Sequence, residues 1–209
     1  REVRPGSRPP GLLLKWLPKQ LGDYELLGPM GSGGFSLVLR ARHTGTGELV
    51  AIKVPRGAVE AALLGLTCSR DLADAFLREA ELWRKLTEEG VRGVVPLLAY
   101  GKRPFPWIAV KLMPGGSLRE RVGQLSWREA VEIVADLADT LDELHREGVR
   151  HLDIKPENIL FDEDGRPHLT DFGLARVALL QASEGSGFAG TLFYAAPEQL
   201  SREHGSIGD

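Results

Sequence analysis

Apolar and polar positions change their spacing near the middle of the chain. From Tyr24 to Met113 the apolar residues come in short runs, YELL, SLVLRARH, LVAIKV, VVPLLAYG and PWIAVKLM, bounded by glycine, proline or polar turns such as TGTGE. Such runs predict strands, and the Gly-rich turns between the early ones predict antiparallel hairpins. Between them Ala75, Phe76, Ala80, Leu82, Trp83 and Leu86 recur at intervals of three and four, which predicts a helix. The expectation for this half is a small antiparallel sheet of about five strands with one main helix.

After PGGSL, whose proline and glycines mark a hinge, the spacing becomes helical. Ser126-Trp-Arg-Glu129 has capping-box spacing. Ala130, Val131, Ile133, Val134, Leu137, Ala138, Leu141 and Leu144 carry the pattern on to Gly148, a C-terminal stop. Those positions cover a wide arc, so a buried helix is expected. ILF, the turn DEDG and PHLTD then predict a hairpin ending at Asp171, followed by LARVALLQASEGSGFAG, a long polar connection of the kind that is functional or disordered. Residues 1–21 begin with proline, glycine and arginine and read as a linker with a docking segment, GLLLKWLPKQL. The pattern predicts an α+β chain with a sheet-rich half over 22–112 and a helix-rich half over 113–209.

Composition excludes more than it identifies. A net charge of −3 and 26% charged residues argue against nucleic acid as a partner, and no polybasic cluster suggests an anionic membrane. No apolar run is long enough for a membrane helix. The single cysteine, Cys68, excludes an internal disulfide and fits a reducing, cytoplasmic compartment. The chain lacks an initiating Met, and a piece of something longer is expected. Amide and sulfur residues are scarce, with 2 Met and 1 Cys, a bias expected of a thermophile. Asn158 is the only asparagine.

That asparagine stands in VRHLDIKPENILFD, where an acid (Asp153), a base (Lys155) and a carboxamide (Asn158) crowd between a helical pattern and an apolar triplet. Asp and Asn also shape turns by bonding neighbouring backbone groups, so the cluster alone is compatible with a plain loop. The glycines at 31, 33 and 34 sit where the first hairpin bends and leave bare amides able to approach a polyphosphate. They form neither a dinucleotide-binding fingerprint, since no helix follows, nor a Walker A loop, since GK[ST] is missing. Lys53 breaks the apolar run VAIKV. Glu79 shares a helix face with Phe76, Trp83 and Leu86, and is the acid that would meet it.

Taken in order, the glycine loop, VAIK, the helix glutamate, HLDIKPEN, DFG and APE resemble the signature of the eukaryotic-type (Hanks-type) Ser/Thr protein kinases over about residues 22–209. The resemblance implies a bilobal kinase-like fold, prokaryotic or archaeal in type, with an N-lobe over 22–112 and an incomplete C-lobe over 113–209. It implies ATP, Mg²⁺ and a protein substrate; oligomeric state is open. By the resemblance, Met30, Gly31, Ser32, Gly33, Gly34, Phe35 and Ser36 cover the phosphates, and Lys53, held by Glu79, contacts them. Val38 and Ala51 stack on adenine, Val110 is the gatekeeper, and Lys111 and Met113 are the hinge contacts. Asn158 and Asp171 match the metal ligands, Asp153 the catalytic base, Lys155 a clamp on the γ-phosphate, and Thr191 a brace for Asp153 and Lys155.

Two departures stand out. Leu152 replaces the arginine that precedes the base in the family, so activity is expected not to depend strongly on phosphorylation between Leu174 and Gly190. The chain also ends soon after Glu198 of APE, which leads one to expect apolar surface that further chain would cover. A nucleotide-binding pseudokinase scaffold and a small-molecule kinase of related fold remain the alternatives.

Overall fold

Strand β1 (Gln20–Leu21) opens the computed structural model, which describes residues 17–32, 36–66, 68–172 and 194. β2 (Tyr24–Ser32), β3 (Ser36–His43) and β4 (Leu49–Pro55) follow, then helices α1 (Arg56–Leu63) and α2 (Arg70–Glu88), and strands β5 (Leu97–Gly101) and β6 (Trp107–Lys111). Beyond these come α3 (Leu118–Arg121), α4 (Trp127–Arg146), a 3₁₀ turn at Pro156–Asn158, and the pair β7 (Ile159–Phe161) and β8 (Pro167–Leu169). The chain divides into two compact units. Among the described residues one holds the chain through Ala80 and Leu98–Leu112, and the other holds Glu81–Leu97 and Met113 through Phe172.

The first unit is built on a six-stranded sheet in the order β1-β2-β3-β4-β6-β5, one strand more than expected. The additional strand, β1, pairs Leu21 with Tyr24 inside the stretch read as linker, and Leu21 is fully buried. Alternation along the strands puts Leu37, Leu39, Ala41, Val50, Ile52, Val54 and Ala109 into one apolar cluster with Tyr24, Phe105 and Trp107. α1 is also unforeseen. It starts directly from Pro55 without a side-chain cap and adds Ala58 and Val59 to the same cluster. Burial of each such valine or leucine contributes about 1.5–3 kcal/mol.

The second unit is organised on the β7–β8 hairpin. Asp162 shapes its turn, its Oδ1 accepting the amides of Asp164 (3.0 Å) and Arg166 (2.8 Å), while Oδ2 lies 2.9 Å from His168 Nε2. Burial pushes this carboxyl up, but the bonds from His168 and from those two amides outweigh it and leave the group below its ordinary value. Val94 bridges Leu169 in parallel, and the Leu169 amide donates to Gly93 O at 2.7 Å. Gly93 has φ 71, and a Cβ there would stand 1.9 Å from Thr140 Oγ1 of α4, so only glycine fits.

α4 begins as expected. Ser126 Oγ accepts the Glu129 amide at 3.3 Å, and Glu129 Oε2 accepts the Ser126 amide at 2.8 Å. It ends at Gly148, φ 71, with the Val149 amide bonded to Leu144 O. Its burial is narrower than expected: Leu137, Thr140 and Leu144 are buried, whereas Trp127 (72%), Val131 (58%) and Val134 (64%) are exposed. Periodicity marks an apolar position without saying what covers it. None of the helices among the described residues is long and apolar enough to cross a membrane.

Candidate active site

In the first unit, strand register assembles one face of the sheet. Gly31 lies opposite Val38, Val38 opposite Lys53, and Lys53 opposite Ile108, a row across four strands. The neighbouring row runs through Arg40, Ala51 and Val110. Because side chains alternate, both rows face away from the apolar cluster that takes Leu37, Leu39, Ile52 and Ala109. Val38, Ala51, Lys53 and Val110 are thereby brought to one surface. Lys111 ends β6 half-buried, Met30 in β2 is exposed, and Ser36 is buried at the start of β3.

Lys53 and Glu79 are both buried in this unit, at 6% and 5% exposure. Burying one ionised group is costly unless an opposite charge accompanies it, and this unit buries one of each. Helix α2 places Glu79 among Phe76, Ala80, Trp83 and Leu86, all buried, as its spacing predicts.

The second unit holds Asp153, Lys155, Asn158 and Asp171, and also Met113, which is buried. Lys155 Nζ donates to Asp153 Oδ2 at 2.6 Å. Asn158 Nδ2 donates to the same Oδ2 at 2.8 Å and to the Asp153 carbonyl at 2.9 Å. One carboxylate oxygen is therefore held by two donors, while Oδ1 is buried and accepts no hydrogen bond from the described residues. The 3₁₀ turn Pro156–Asn158 sets this geometry, and the Thr170 amide donates to Asn158 O at 3.0 Å, tying the loop to the chain just before Asp171.

Leu152 (φ 65) and Asp171 (φ 71) are the positive-φ residues other than glycine among the described residues, and they flank this cluster. Left-handed backbone is tolerated better by Asp than by Leu, and costs on the order of 1–3 kcal/mol where a bulky residue adopts it.

His151 received no role from its sequence and is fully buried at the centre of the arrangement. Its Nε2 donates to Thr170 O at 2.9 Å, which leaves Nδ1 to accept the Asp153 amide at 3.3 Å. The ring lies 4.8 Å from that of Phe172, and Phe172 meets Trp83 edge-on at 5.6 Å. The available signal was its place two residues before Asp153 in an otherwise apolar context. Gly33, Gly34, Phe35 and Thr191 lie outside the described residues, as does the side chain of Ser32.

The donor chemistry fits a hard divalent cation. Both hydrogens of the Asn158 amide are committed to Asp153, so its oxygen is the end left to coordinate, and Asp171 adds a carboxylate.

The family model described as the protein kinase domain matches residues 24–208. The chain is 36% identical over 189 residues to CBL-interacting protein kinase 4 of Oryza sativa subsp. japonica, covering 87% of this chain and 40% of that protein. It is 36% identical over 193 residues to serine/threonine-protein kinase PknK of Mycobacterium tuberculosis, covering 88% of this chain and 16% of that one. With serine/threonine-protein kinase cds1 of Schizosaccharomyces pombe the identity is 33% over 181 residues, 85% of this chain and 38% of the relative. The chain thus spans less than half the length of these curated relatives. A family match over nearly its whole length, with the acid, base and amide of one loop gathered on a single carboxylate, places the chain in the protein kinase domain family.

Proposed function

We propose that the protein transfers the γ-phosphoryl group of ATP to serine or threonine hydroxyls of other proteins. The observation that carries this reading is the asymmetry of Asp153: Oδ2 is held by Lys155 and Asn158, and Oδ1 is a buried acceptor with no donor among the described residues. A substrate hydroxyl supplies that donor. As its oxygen bonds to the γ-phosphorus and the bond to the β–γ bridging oxygen breaks, its proton passes to Oδ1 and ADP leaves.

Lys155, a three-donor cation that spends one bond on Asp153, steadies the transferred group. Lys53, oriented by Glu79, holds the α- and β-phosphates, and the rows containing Val38, Ala51 and Val110 give adenine an apolar surface. Asn158 Oδ1 and Asp171 would hold Mg²⁺, which neutralises phosphate charge. Thr191 and the loop glycines take the roles that the family resemblance implies. The relatives named as serine/threonine kinases support hydroxyl rather than phenol acceptors. A need for ATP supports a cytoplasmic position.

The test is to incubate the full-length polypeptide with γ-labelled ATP, Mg²⁺ and a general protein substrate, then analyse the labelled amino acids. Label on serine and threonine is expected. Nucleotide binding without transfer would indicate a scaffold, and label on small alcohols alone a small-molecule kinase; either result overturns the proposal.

A further inference from the structure

Residues 115–117 lie beside β7 like a short added strand. The Gly115 amide donates to Phe161 O and the Phe161 amide to Gly116 O, both at 2.9 Å, and Ser117 bridges Leu160 in antiparallel sense. The approach is close: a Cβ at Gly115 would stand 2.6 Å from Phe161 Cβ and 2.8 Å from Phe161 O. Glycine permits this contact but brings no side chain to lock it.

Arg121 supplies the lock. Glu120 Oε1 accepts the Ser117 amide at 3.0 Å and the Ser117 hydroxyl at 2.8 Å, which closes the single turn of α3. That turn brings Arg121 back over β7. Its guanidinium carbon lies 3.6 Å from the centroid of the fully buried Phe161 ring, and Nη2 donates to Gly115 O at 3.1 Å. One planar cation thus grips both sides of the pairing, by a stack on β7 and a hydrogen bond to the glycine segment. The other arginine of α3, Arg119, meets Glu157 at 3.6 Å, but both side chains are exposed and such pairs contribute little. The lock therefore rests on Arg121.

Two groups at the ends of this arrangement matter to a nucleotide. Met113, buried two residues before Gly115, is the base contact that the family resemblance implies. Asn158, which immediately precedes β7, has its amide oxygen left for a metal. Pairing of residues 115–117 along β7 sets the spacing between the two, and all of these residues belong to the second unit.

We infer that Arg121 is a positioning residue for the nucleotide: it holds residues 115–117 on β7 and so fixes Met113 at a set distance from Asn158. This rests on the kinase reading above. A base contact is made alike before and during transfer, so loosening it acts on KM rather than on kcat.

Arg121→Met keeps an unbranched stem over Phe161 and removes the cation and the donor. In the full-length polypeptide it is expected to raise KM for ATP roughly fivefold to tenfold, the scale of one lost charge-assisted hydrogen bond, with kcat within about twofold of wild type. An unchanged KM overturns the inference. So does a kcat that falls while KM holds, which is the signature of a smaller folded fraction and a merely structural role. Hydrogen exchange reads the lock without activity. The Gly115 and Phe161 amides should exchange at least about tenfold faster in Arg121→Met, with the Leu169 amide, bonded to Gly93 O, within about twofold. Unchanged protection at Gly115 and Phe161, or equal acceleration at Leu169, overturns the lock. Wild-type protein that transfers no phosphate would bring down the kinase reading instead, leaving exchange to judge the lock.

Discussion

Asn158 illustrates how much one side chain holds at the residue scale. Its amide serves the main-chain oxygen and one carboxylate oxygen of Asp153 at once, which a serine or a glycine could not do. Asn158→Ala should cost about 1–3 kcal/mol of unfolding free energy, the penalty for buried acceptors left short of donors. It should also raise the Mg²⁺ concentration needed for transfer, read by metal titration of the rate. Asp162 makes a prediction in pH. Its carboxyl is held below its ordinary value of 3.8 in the fold, so its contribution is complete above that value and is lost as pH falls through the folded one. Asp162→Asn should therefore be less stable than wild type at pH 7. The difference should shrink below about pH 4 in acid-unfolding curves measured by circular dichroism.

Residue identities in the loop were legible because chemistry crowded there: Asp153, Lys155 and Asn158 could be named from the six residues DIKPEN. The geometry that distinguishes the two oxygens of Asp153 could not, since it depends on the 3₁₀ turn and on His151. That histidine was silent in sequence because a buried imidazole bonding backbone groups leaves no pattern of side-chain types to read.

At the scale of elements, α2 and α4 differ in how they follow their periodicity. The face of α2 is buried where expected, with Phe76, Glu79, Ala80, Trp83 and Leu86 together. On α4 the positions Val131 and Val134 share the apolar pattern but are exposed, because spacing carries no information on a covering partner. Short elements escaped reading for another reason. β1 has two residues, and α1 has neither a polar cap nor an acid in its first turn, so neither presents a start signal. The capping box of α4 was legible from Ser126 and Glu129 alone. Ser126→Ala should cost about 1 kcal/mol, measured as a lowered urea midpoint with unchanged slope.

At the scale of the whole molecule, the α+β class followed from a change of period and the family from motif order, while the pairing order of the sheet did not. The β4–β6 pairing that sets Ala51 against Val110 joins strands separated by two helices and a strand, which local spacing cannot reveal. Leu152 in place of an arginine leads to the expectation that transfer does not require a phosphorylated loop. Replacing Ser183 and Ser186 together by alanine should leave the rate within about twofold in a steady-state assay.

The central claim is that Asp153 receives the substrate proton. Single-turnover transfer from ATP by the full-length polypeptide, compared between wild type and Asp153→Asn at saturating nucleotide, tests it most directly. Asparagine preserves the shape and the bond partners' positions but cannot take a proton. The rate should fall on the order of 10²-fold or more with nucleotide affinity nearly unchanged. Equal transfer rates in the two proteins would contradict the account.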